Sequence, residues 1–459
     1  MNTLESPPAS TIAGFLWPAQ PGPAGQAMLA TMFQLDLSQW WAPAALVERQ
    51  FQQIRQLVAY ATAHCPHYAN HLVQCGVANP AQITPTTFLR WPLLEKRDIQ
   101  ALGGDFLARH IPVEHGGLHW VTTSGSTGTP LRTATTDVGL YFQHAMVMRS
   151  YLWYGLDFSA KFAAIRIAEG AAFRQWGVPA SAVFRTGPLH TVSALVDHGK
   201  QLEWLCNESP GYLLTLNTNL RALLDHSRRS GRAPAGLRAV LGFADMAAPE
   251  IPASVRELWN AVFFDTYSCS EIGTLALQCP SHQHLHVQSE RVYLEVLRDD
   301  GTACEPGEIG RIVVTDLHNF AMPLIRYELH DHALLGPPCP CGRGLPVLSQ
   351  LAGRTSDLAV DPTGRSYFAH MNKGFWVSAA PIRQRQIVQH TPAELEVRYV
   401  AERELGDGER AVLTQELRTA MRYDYEIRFT RVAEIALGPG GKFEDFKSLL
   451  AIDDRFQKT

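Results

Sequence analysis

The chain has 459 residues, of which 46% are hydrophobic and 18% charged, and its formal net charge at pH 7 is −4. This balance excludes a disordered tail, a basic nucleic-acid-binding surface and a polybasic membrane patch, so a small anionic ligand requires a local site. The length predicts about two or three units, each able to bury a core.

The N-terminal segment, residues 1–25, lacks a basic opening stretch, and prolines interrupt its apolar run. We therefore expect it to be loosely ordered, and to be neither a signal peptide nor a membrane span. The eight cysteines are too few for a disulfide scaffold in a chain of this length. Together these features predict a cytoplasmic protein with reduced thiols.

Apolar residues recur at helical spacing in two segments of the first half. Phe51, Ile54, Val58 and Ala61 predict an amphipathic helix between residues 46 and 72. A second helix, closed by a glycine, is predicted from the leucines of one face: Leu216, Leu220, Leu223 and Leu224, with Gly231 after them.

Two apolar runs after this helix predict buried strands, AVLGF (239–243) and AVFFDTYS (261–268). Between them, Ser254 and Glu257 have the spacing of a capping box at the start of a helix. Strand, helix and strand in this order predict a parallel sheet covered on both faces. Residues 292–317 instead predict antiparallel strands joined by a turn-rich loop.

A second series of strand-like and helical segments begins after Gly353 and covers a shorter stretch of chain. The segments AELEVRYV and YEIRFTRV alternate like strands, and ERAVLTQELRTAMR between them is helical. We predict an α/β fold in which residues 26–355 form a large N-terminal domain, with parallel sheets and an antiparallel subdomain. Residues 356–459 are predicted to form a small C-terminal α+β domain.

The loop TTSGSTGTP (122–130) is rich in hydroxyls and glycine and contains no basic residue. Glycine lets backbone amides turn toward a ligand and serine and threonine add donors, so the loop suits a polyphosphate. It is neither a Walker loop, which ends in Gly-Lys-Ser/Thr, nor a dinucleotide fingerprint. Taken alone, a loop of this composition is more often a solvated turn.

Further motifs precede and follow this loop in an ordered series: HCPHYANHL, WPLLEKRDI, DTYSCSEIG (265–273), GEIGRIVVTDLHNFAMPLIRYELHD (307–331), CPCGRGLPVLSQLAGRTSDL (339–358) and GPGGKFEDF (438–446). Together with the loop, they resemble the adenylate-forming superfamily of acyl-CoA synthetases, and more narrowly the phenylacetate–CoA ligase family. The resemblance runs almost from end to end of the chain. It implies ATP- and Mg²⁺-dependent activation of a carboxylic acid, aromatic by default, as an acyl-adenylate, followed by transfer to coenzyme A.

The resemblance also implies the site residues. Glu271 matches the magnesium ligand, and Lys442 matches the catalytic lysine of a small domain that rotates between the two half-reactions. Tyr267 would pack on adenine, Asp331 would bind the ribose hydroxyls, and Arg354 would reach ribose or phosphate. The remaining ATP-binding positions are Thr123, Ser124, Gly125, Ser126, Thr127, Gly128 and Ser270.

Without the resemblance, the same residues have plainer interpretations. Tyr267 would end a strand in the core, Glu271 would cap a turn, and Lys442 would be a solvated lysine. Asp331 and Arg354 would form a surface ion pair, which contributes little to stability.

The chain departs from the family pattern at a few positions. Thr129 stands where the loop usually carries a lysine, and Ala244-Asp245 replaces the usual Gly-Glu. Ser356 stands where the family has its hinge aspartate, and Asp357 follows it. The residue about which the small domain would turn is therefore left open. For Arg326, ligand contact and structural support are both open.

Cysteines and histidines cluster in two short segments, CPSHQHLH (279–286) and CPC (339–341). Zinc accepts a Cys₃His ligand set, and the alternative is a group of reduced, buried cysteines. Some relatives in this subgroup carry a structural zinc, and the match to them implies the ligands Cys279, His286, Cys339 and Cys341. His284 is the fallback, since on an extended strand it shares a face with His286.

Two other functions remain open at this stage. An adenylating enzyme could transfer the acyl group to an amine or a carrier protein, and a degenerate member could bind nucleotide without turnover. The family places its acid pocket between residues 141 and 190 and around Gly242, although aromatic residues such as Tyr151, Trp153, Phe173 and Trp176 are as easily core. Whether the protein forms a homodimer is left open by the sequence.

Overall fold

The computed structural model describes residues 8–122, 131–354, 358–363, 365–368, 376, 379–421, 423–436 and 446–450. The chain divides into two compact units. The first contains most of the chain up to Gln350, and the second contains Leu351 onward together with His330–His332. The domain boundary after residue 355 stays a prediction.

The α-helices of the described residues, numbered α1 to α11, are Pro23–Ser38, Pro43–His64, His71–Gln74, Pro85–Phe88, Lys96–Leu102, Asp137–Trp153, Ala180–Val183, His198–Glu208, Asn217–Ser230, Ile251–Trp259 and Asp407–Met421. Short 3₁₀ helices span Pro66–Tyr68, Pro80–Gln82, Gly103–Phe106 and Val113–His115. Within this part of the chain, no helix is both long enough and apolar enough to cross a membrane.

Strands β1 to β10 are Leu118–Thr122, Arg132–Thr136, Phe162–Arg166, Ala171–Phe173, Leu189–Ser193, Tyr212–Leu216, Ala239–Phe243, Val262–Cys269, Gly273–Gln278 and Leu285–Val287. Strands β11 to β20 are Val292–Leu297, Ile309–Asp316, Tyr327–Leu335, Val347–Arg354, Leu358–Val360, Ser366–Phe368, Ile382–Thr391, Glu394–Ala401, Glu426–Arg431 and Phe446–Ser448.

The largest sheet of the described residues is mixed and has twelve strands in the order β11-β12-β13-β14-β10-β9-β8-β7-β6-β3-β5-β4. Strands β5, β3, β6, β7 and β8 are parallel neighbours, and β9 and β10 continue the sheet in antiparallel pairing. The predicted α/β class is confirmed, and the predicted antiparallel pair in residues 292–317 is β11 with β12.

The parallel part of the sheet is covered on both faces. On one face, residues such as Tyr212 and Leu241 pack with α1 and α6. On the other face, their neighbours Leu213 and Val240 pack with the leucines of α8 and α9 and with Val255 of α10. Since successive side chains of a strand alternate between faces, these apolar runs bury both sides, as the sequence predicted.

Helix boundaries differ from the predictions where proline or burial intervenes. The first predicted helix ends at His64 rather than near residue 72, because Pro66 follows and a 3₁₀ turn begins there. The capping-box prediction was wrong: Ser254 lies inside α10, whose N-cap is Glu250. Helix α9 does end at Gly231, which adopts the left-handed conformation with φ of 68°.

The second unit contains a four-stranded sheet in the order β19-β18-β17-β20. Helix α11 packs on this sheet through Leu413, Leu417 and Met421, which share a core with Ile387 and Val397. The predicted alternating segments are β18 and β19, and the helical segment between them is α11.

Candidate functional site

Polar side chains gather at the carboxyl ends of parallel strands β6, β7 and β8, the edge where open α/β sheets bind ligands. Asn217 begins α9 directly after β6, Asp245 follows β7, and Asp265 lies on β8 opposite Gly242. Asn217 Nδ2 donates to Asp265 Oδ1 at 3.0 Å. A Cβ at Gly242 would lie 2.0 Å from Asn217 Oδ1, so glycine is required for this approach.

Asp245 caps helix α9 from outside the helix. Its carboxylate accepts hydrogen bonds from the backbone N–H groups of Asn217 at 3.1 Å and Thr218 at 2.7 Å. These amides have no partner within the helix, and a carboxylate there also interacts favourably with the helix dipole. The departure Ala244-Asp245 noted in the sequence therefore has a structural role.

Asp265 is half-buried in the same cluster. Burial raises the pKa of its carboxyl group to about 6, and the neighbouring Asp245 also raises it. Hydrogen bonds from Asn217 and from the N–H of Thr266 act in the opposite direction and lower the pKa. The sequence motif DTYSCSEIG contained Asp265, but no role was predicted for it.

Glu271 occupies the turn between β8 and β9. Its side chain is half-buried, and Tyr327 of β13 donates its hydroxyl to Glu271 Oε1 at 3.3 Å. Tyr267, near the end of β8, is buried, and Ser270 in the turn is exposed. Glu271 and Tyr267 thus belong to the same strand end, and their roles at a nucleotide stay predictions.

Arg326 supports the structure. Its side chain is buried, pairs with Glu295 at 3.0 Å, and donates from Nη1 to the carbonyl oxygens of Leu89 and Trp91 at 2.7 Å each. These bonds attach the start of the WPLLEKRDI segment and the residues just before it to the residue that precedes β13, so structural support is the interpretation that the contacts favour. Asp331 lies on the same strand and is half-buried.

Several predicted site residues lie outside the described residues: Thr123, Ser124, Gly125, Ser126, Thr127, Gly128 and Thr129 of the loop, Ser356 and Asp357 of the hinge, and Lys442. Arg354 ends strand β14, and its side chain is also outside the described part. Their roles stay predictions.

The aromatic residues near the expected acid pocket divide between core and surface. Trp176 is buried in the core on the α1 and α6 face, Tyr151 packs against that core, and Phe173 on edge strand β4 is exposed. Trp153 instead lies beside His286, with ring centroids 6.0 Å apart.

A cysteine and histidine cluster forms where β9, β10 and β14 adjoin. Ligand atoms of Cys279, His284, His286 and Cys339 all lie within 4.8 Å of one another. Cys341, the fourth ligand predicted from the sequence, is outside that group of four, but its Sγ is 3.4 Å from His286 Nε2. The structure thus brings the predicted residues together, and His284, the predicted fallback ligand, lies within the group of four.

The donor set of this cluster suits zinc, which binds thiolates and neutral imidazoles. Burial lowers the pKa of His286 to about 4, and it also lowers the pKa of His284, so both imidazoles are neutral at pH 7. His282 also approaches, with Nδ1 3.5 Å from Cys279 Sγ. Sequence reasoning missed His282, Asn217 and Tyr327. His282 lies in CPSHQHLH and Tyr327 in the motif of residues 307–331, whereas Asn217 had no local signal.

Together, the doubly covered mixed sheet, the Glu271 turn and the small α+β unit are the fold of the adenylate-forming acyl-CoA ligases. The chain is similar over most of its length to solved 2-hydroxyisobutyryl-CoA ligase. In the postadenylation state with 2-HIB-AMP, the TM-score is 0.69, the identity 17%, and the match covers 90% of each chain. In the thioesterification state with 2-HIB-AMP and CoA, the TM-score is 0.59, the identity 18%, and the match covers 90% of this chain and 92% of the other.

In sequence, the chain is similar to phenylacetate–coenzyme A ligase. It is 23% identical to that enzyme from Pseudomonas putida over 325 residues, which are 69% of this chain and 72% of the relative. The amide bond synthetase McbA from Marinactinospora thermotolerans is a more distant likeness, with a TM-score of 0.51, 17% identity, and coverage of 74% of this chain and 69% of that one. No protein-family model matches the chain.

Proposed function

We propose that this protein uses ATP to activate a carboxylic acid as an acyl-adenylate and transfers the acyl group to coenzyme A. The observation that carries the proposal is the position of Glu271 in the turn after β8, where its carboxylate accepts a hydrogen bond from the hydroxyl of Tyr327. The fold is one in which a solved acyl-CoA ligase holds an acyl-adenylate. Similarity to phenylacetate–coenzyme A ligase supports an aromatic acid as the substrate.

In the first half-reaction, a carboxylate oxygen of the substrate attacks the α-phosphorus of ATP, and pyrophosphate leaves. Negative charge shifts between the phosphates, so the site needs a cation and aligned donors. Glu271 would ligate Mg²⁺, because a hard divalent ion on phosphates takes one or two protein carboxylates. The hydroxyl of Tyr327 would fix the orientation of that carboxylate, and Tyr267 would pack on adenine.

The other roles follow the sequence. Asp331 would bind ribose hydroxyls, Arg354 would reach ribose or phosphate, and Lys442 would stabilise the charge on the α-phosphate. In the ATP site, Ser270 would lie beside the phosphate-binding loop, which consists of Thr123, Ser124, Gly125, Ser126, Thr127 and Gly128. The small domain would then rotate to admit the acceptor.

In the second half-reaction, coenzyme A attacks the acyl carbonyl as its thiolate, and AMP leaves with the bonding electron pair. A solved relative that binds both 2-HIB-AMP and CoA supports this acceptor. The likeness to an amide bond synthetase keeps an amine acceptor as the second candidate. A requirement for free thiol in product formation separates the two.

We further propose one structural zinc ion in the cysteine and histidine cluster. Two pairs of donor atoms support it: the Sγ atoms of Cys279 and Cys339 are 3.9 Å apart, and Cys341 Sγ is 3.4 Å from His286 Nε2. Four protein ligands leave no open position, so the ion would supply stability and no catalysis. A cytoplasmic location is also proposed, since all eight cysteines are free thiols.

The test of the enzymatic proposal is pyrophosphate release from ATP across a panel of aromatic and aliphatic acids, with and without coenzyme A. Glu271→Gln removes the charge of the magnesium ligand, so we expect release to fall by about a hundredfold or more while the fold is retained. Lys442→Ala should lower it comparably.

Glu203→Gln is the matched control, because Glu203 is an exposed acid in a long ion pair with Arg232, at 3.9 Å. It should leave the rate unchanged. Wild-type rates in both Glu271→Gln and Lys442→Ala would refute the residue assignments, and ATP binding without turnover for any acid would favour the nucleotide-binding alternative.

A further inference from the structure

The side chain of Arg343 is clamped beside the cysteine and histidine cluster. Its guanidinium carbon lies 4.8 Å from the ring centroid of Trp40 and 4.5 Å from that of Trp153. Its Nε donates to Gln39 Oε1 at 2.8 Å. Two indole faces and one hydrogen bond therefore fix the plane of the guanidinium group.

The positive charge of Arg343 faces a thiol rather than a carboxylate. Among the described residues Arg343 forms no ion pair with an acidic side chain, and its Nη1 lies 3.5 Å from Cys341 Sγ. Arg149 differs: its guanidinium group, 5.5 Å from the centroid of Trp153, is paired with Glu290 at 2.8 Å. Two guanidinium groups thus contact Trp153. That of Arg149 is neutralised by a carboxylate, whereas that of Arg343 has, in the described part of the chain, only the cysteine and histidine cluster as an anionic partner.

We propose that Arg343 is the counter-ion and positioning residue of a metal centre with three thiolates, from Cys279, Cys339 and Cys341. This inference rests on the proposed zinc site. Zinc with three thiolates and one imidazole carries a net charge of about −1, whereas two thiolates and two imidazoles leave it neutral. A half-buried guanidinium without an anion is costly, so its place here selects the negatively charged set.

Two donor–donor distances agree with this ligand set. Tetrahedral zinc with ordinary bond lengths places two sulfur ligands about 3.8 Å apart, and a sulfur and a nitrogen ligand about 3.6 Å apart. The Cys279–Cys339 and Cys341–His286 distances of 3.9 Å and 3.4 Å match two such edges. His284 Nε2 is 2.9 Å from Cys339 Sγ, shorter than such an edge; in the three-thiolate set His284 is a neighbour of that sulfur and not a ligand.

Arg343 also connects the centre to α1. The next residue, Gly344, donates its N–H to the carbonyl of Gln39 at 2.9 Å, and a Cβ at Gly344 would lie 1.7 Å from the carbonyl oxygen of Trp41. The turn that carries Cys341 is thus in direct backbone contact with the residues after α1. Fixing Arg343 fixes the direction of the Cys341 side chain.

The experiment compares the wild-type protein with Arg343→Gln, Arg343→Lys and Cys341→Ser. Zinc affinity is measured by competition with a chelating indicator, and the number of thiolates by the charge-transfer absorption of the Co²⁺-substituted proteins. We expect Arg343→Gln to weaken zinc binding by about 10- to 100-fold, as for other partners of metal ligands, and Arg343→Lys to restore part of the loss. Cys341→Ser should remove about one third of the Co²⁺ charge-transfer intensity, because one thiolate of three is lost.

A double mutant separates this role from general packing. In the Cys341→Ser background, Arg343→Gln should cost little further affinity, since its partner is gone. Arg298→Gln, at an exposed ion pair with Glu308, is the control and should bind zinc like the wild type. Wild-type affinity in Arg343→Gln, or unchanged Co²⁺ absorption in Cys341→Ser, overturns the inference while the zinc site stands; a wild-type protein that binds neither ion overturns both.

Discussion

At the scale of single residues, the strand ends at the candidate site hold two carboxylates of different character. Asp245 accepts two backbone N–H groups, whereas the pKa of Asp265 is raised to about 6 by burial. A group with a raised pKa binds its proton more tightly in the folded than in the unfolded state. Asp265 therefore favours the folded state in its protonated form and opposes folding once it is ionised.

Asp265→Asn should make the protein more stable at neutral pH. Between about pH 4 and 6 the native state binds the proton that the unfolded state has lost, so the wild type loses stability as pH rises and stays lower above pH 6. The neutral amide avoids this loss, and we expect a gain of about 2 kcal/mol at pH 7.5 that shrinks toward pH 4. Urea unfolding of both proteins at several pH values measures it.

Asp300→Asn is the control for this prediction. Asp300 is exposed, and hydrogen bonds from Thr302 hold the pKa of its carboxyl group below the usual value, so its replacement should not stabilise the protein at pH 7.5. An Asp265→Asn variant that is less stable than the wild type at that pH would show that the charged carboxylate is favourable in the fold.

At the scale of elements, α9 illustrates what periodicity predicts and what it misses. The spacing of the leucines and Gly231 predicted the helix and its end, because both signals are local. Its N-terminus has no capping side chain of its own, and Asp245 supplies the cap from the loop after β7. That partnership joins positions 27 residues apart and depends on β6 and β7 being parallel neighbours.

Asp245→Ala should destabilise the protein by about 1 kcal/mol, the usual loss for a removed helix cap. Hydrogen exchange should accelerate at the N–H groups of Asn217 and Thr218, which lose their acceptor. Asp225→Ala on the exposed face of the same helix is the matched control and should change stability by only a few tenths of a kcal/mol. Equal effects of the two substitutions would argue against a capping role.

At the scale of the whole molecule, the cysteine and histidine cluster joins distant parts of the first unit. Cys279 and Cys339 are 60 residues apart in the chain, and β10 between β9 and β14 brings them together. An ion bound there would connect the end of β9, strand β10 and the segment that precedes β14. It would bind the folded state in preference to the unfolded chain, and so stabilise folding.

Removing the ion should therefore lower the melting temperature. At free zinc one hundred times the dissociation constant, the ion contributes about 3 kcal/mol to folding, and chelation should abolish this contribution reversibly. Calorimetry with metal analysis, before and after chelation and after zinc is restored, measures it. A Cys339→Ser/Cys341→Ser variant should show no response to the chelator; a wild-type protein with about one zinc per chain and no thermal response would contradict a structural role.

The sequence by itself determined the elements and the motifs. Apolar periodicity predicted α9, β7, β8 and the β11–β12 pair, and the ordered motifs indicated the ligase fold, because these signals are contained in short stretches of chain. Only the tertiary structure decided the partners: Tyr327 on Glu271, Asp245 on α9, and Arg343 on Cys341. Of these, the first two join residues far apart in the chain, and the orientation of Arg343 depends on Trp40 and Trp153. Such contacts are fixed by sheet order and close packing, which no local pattern encodes.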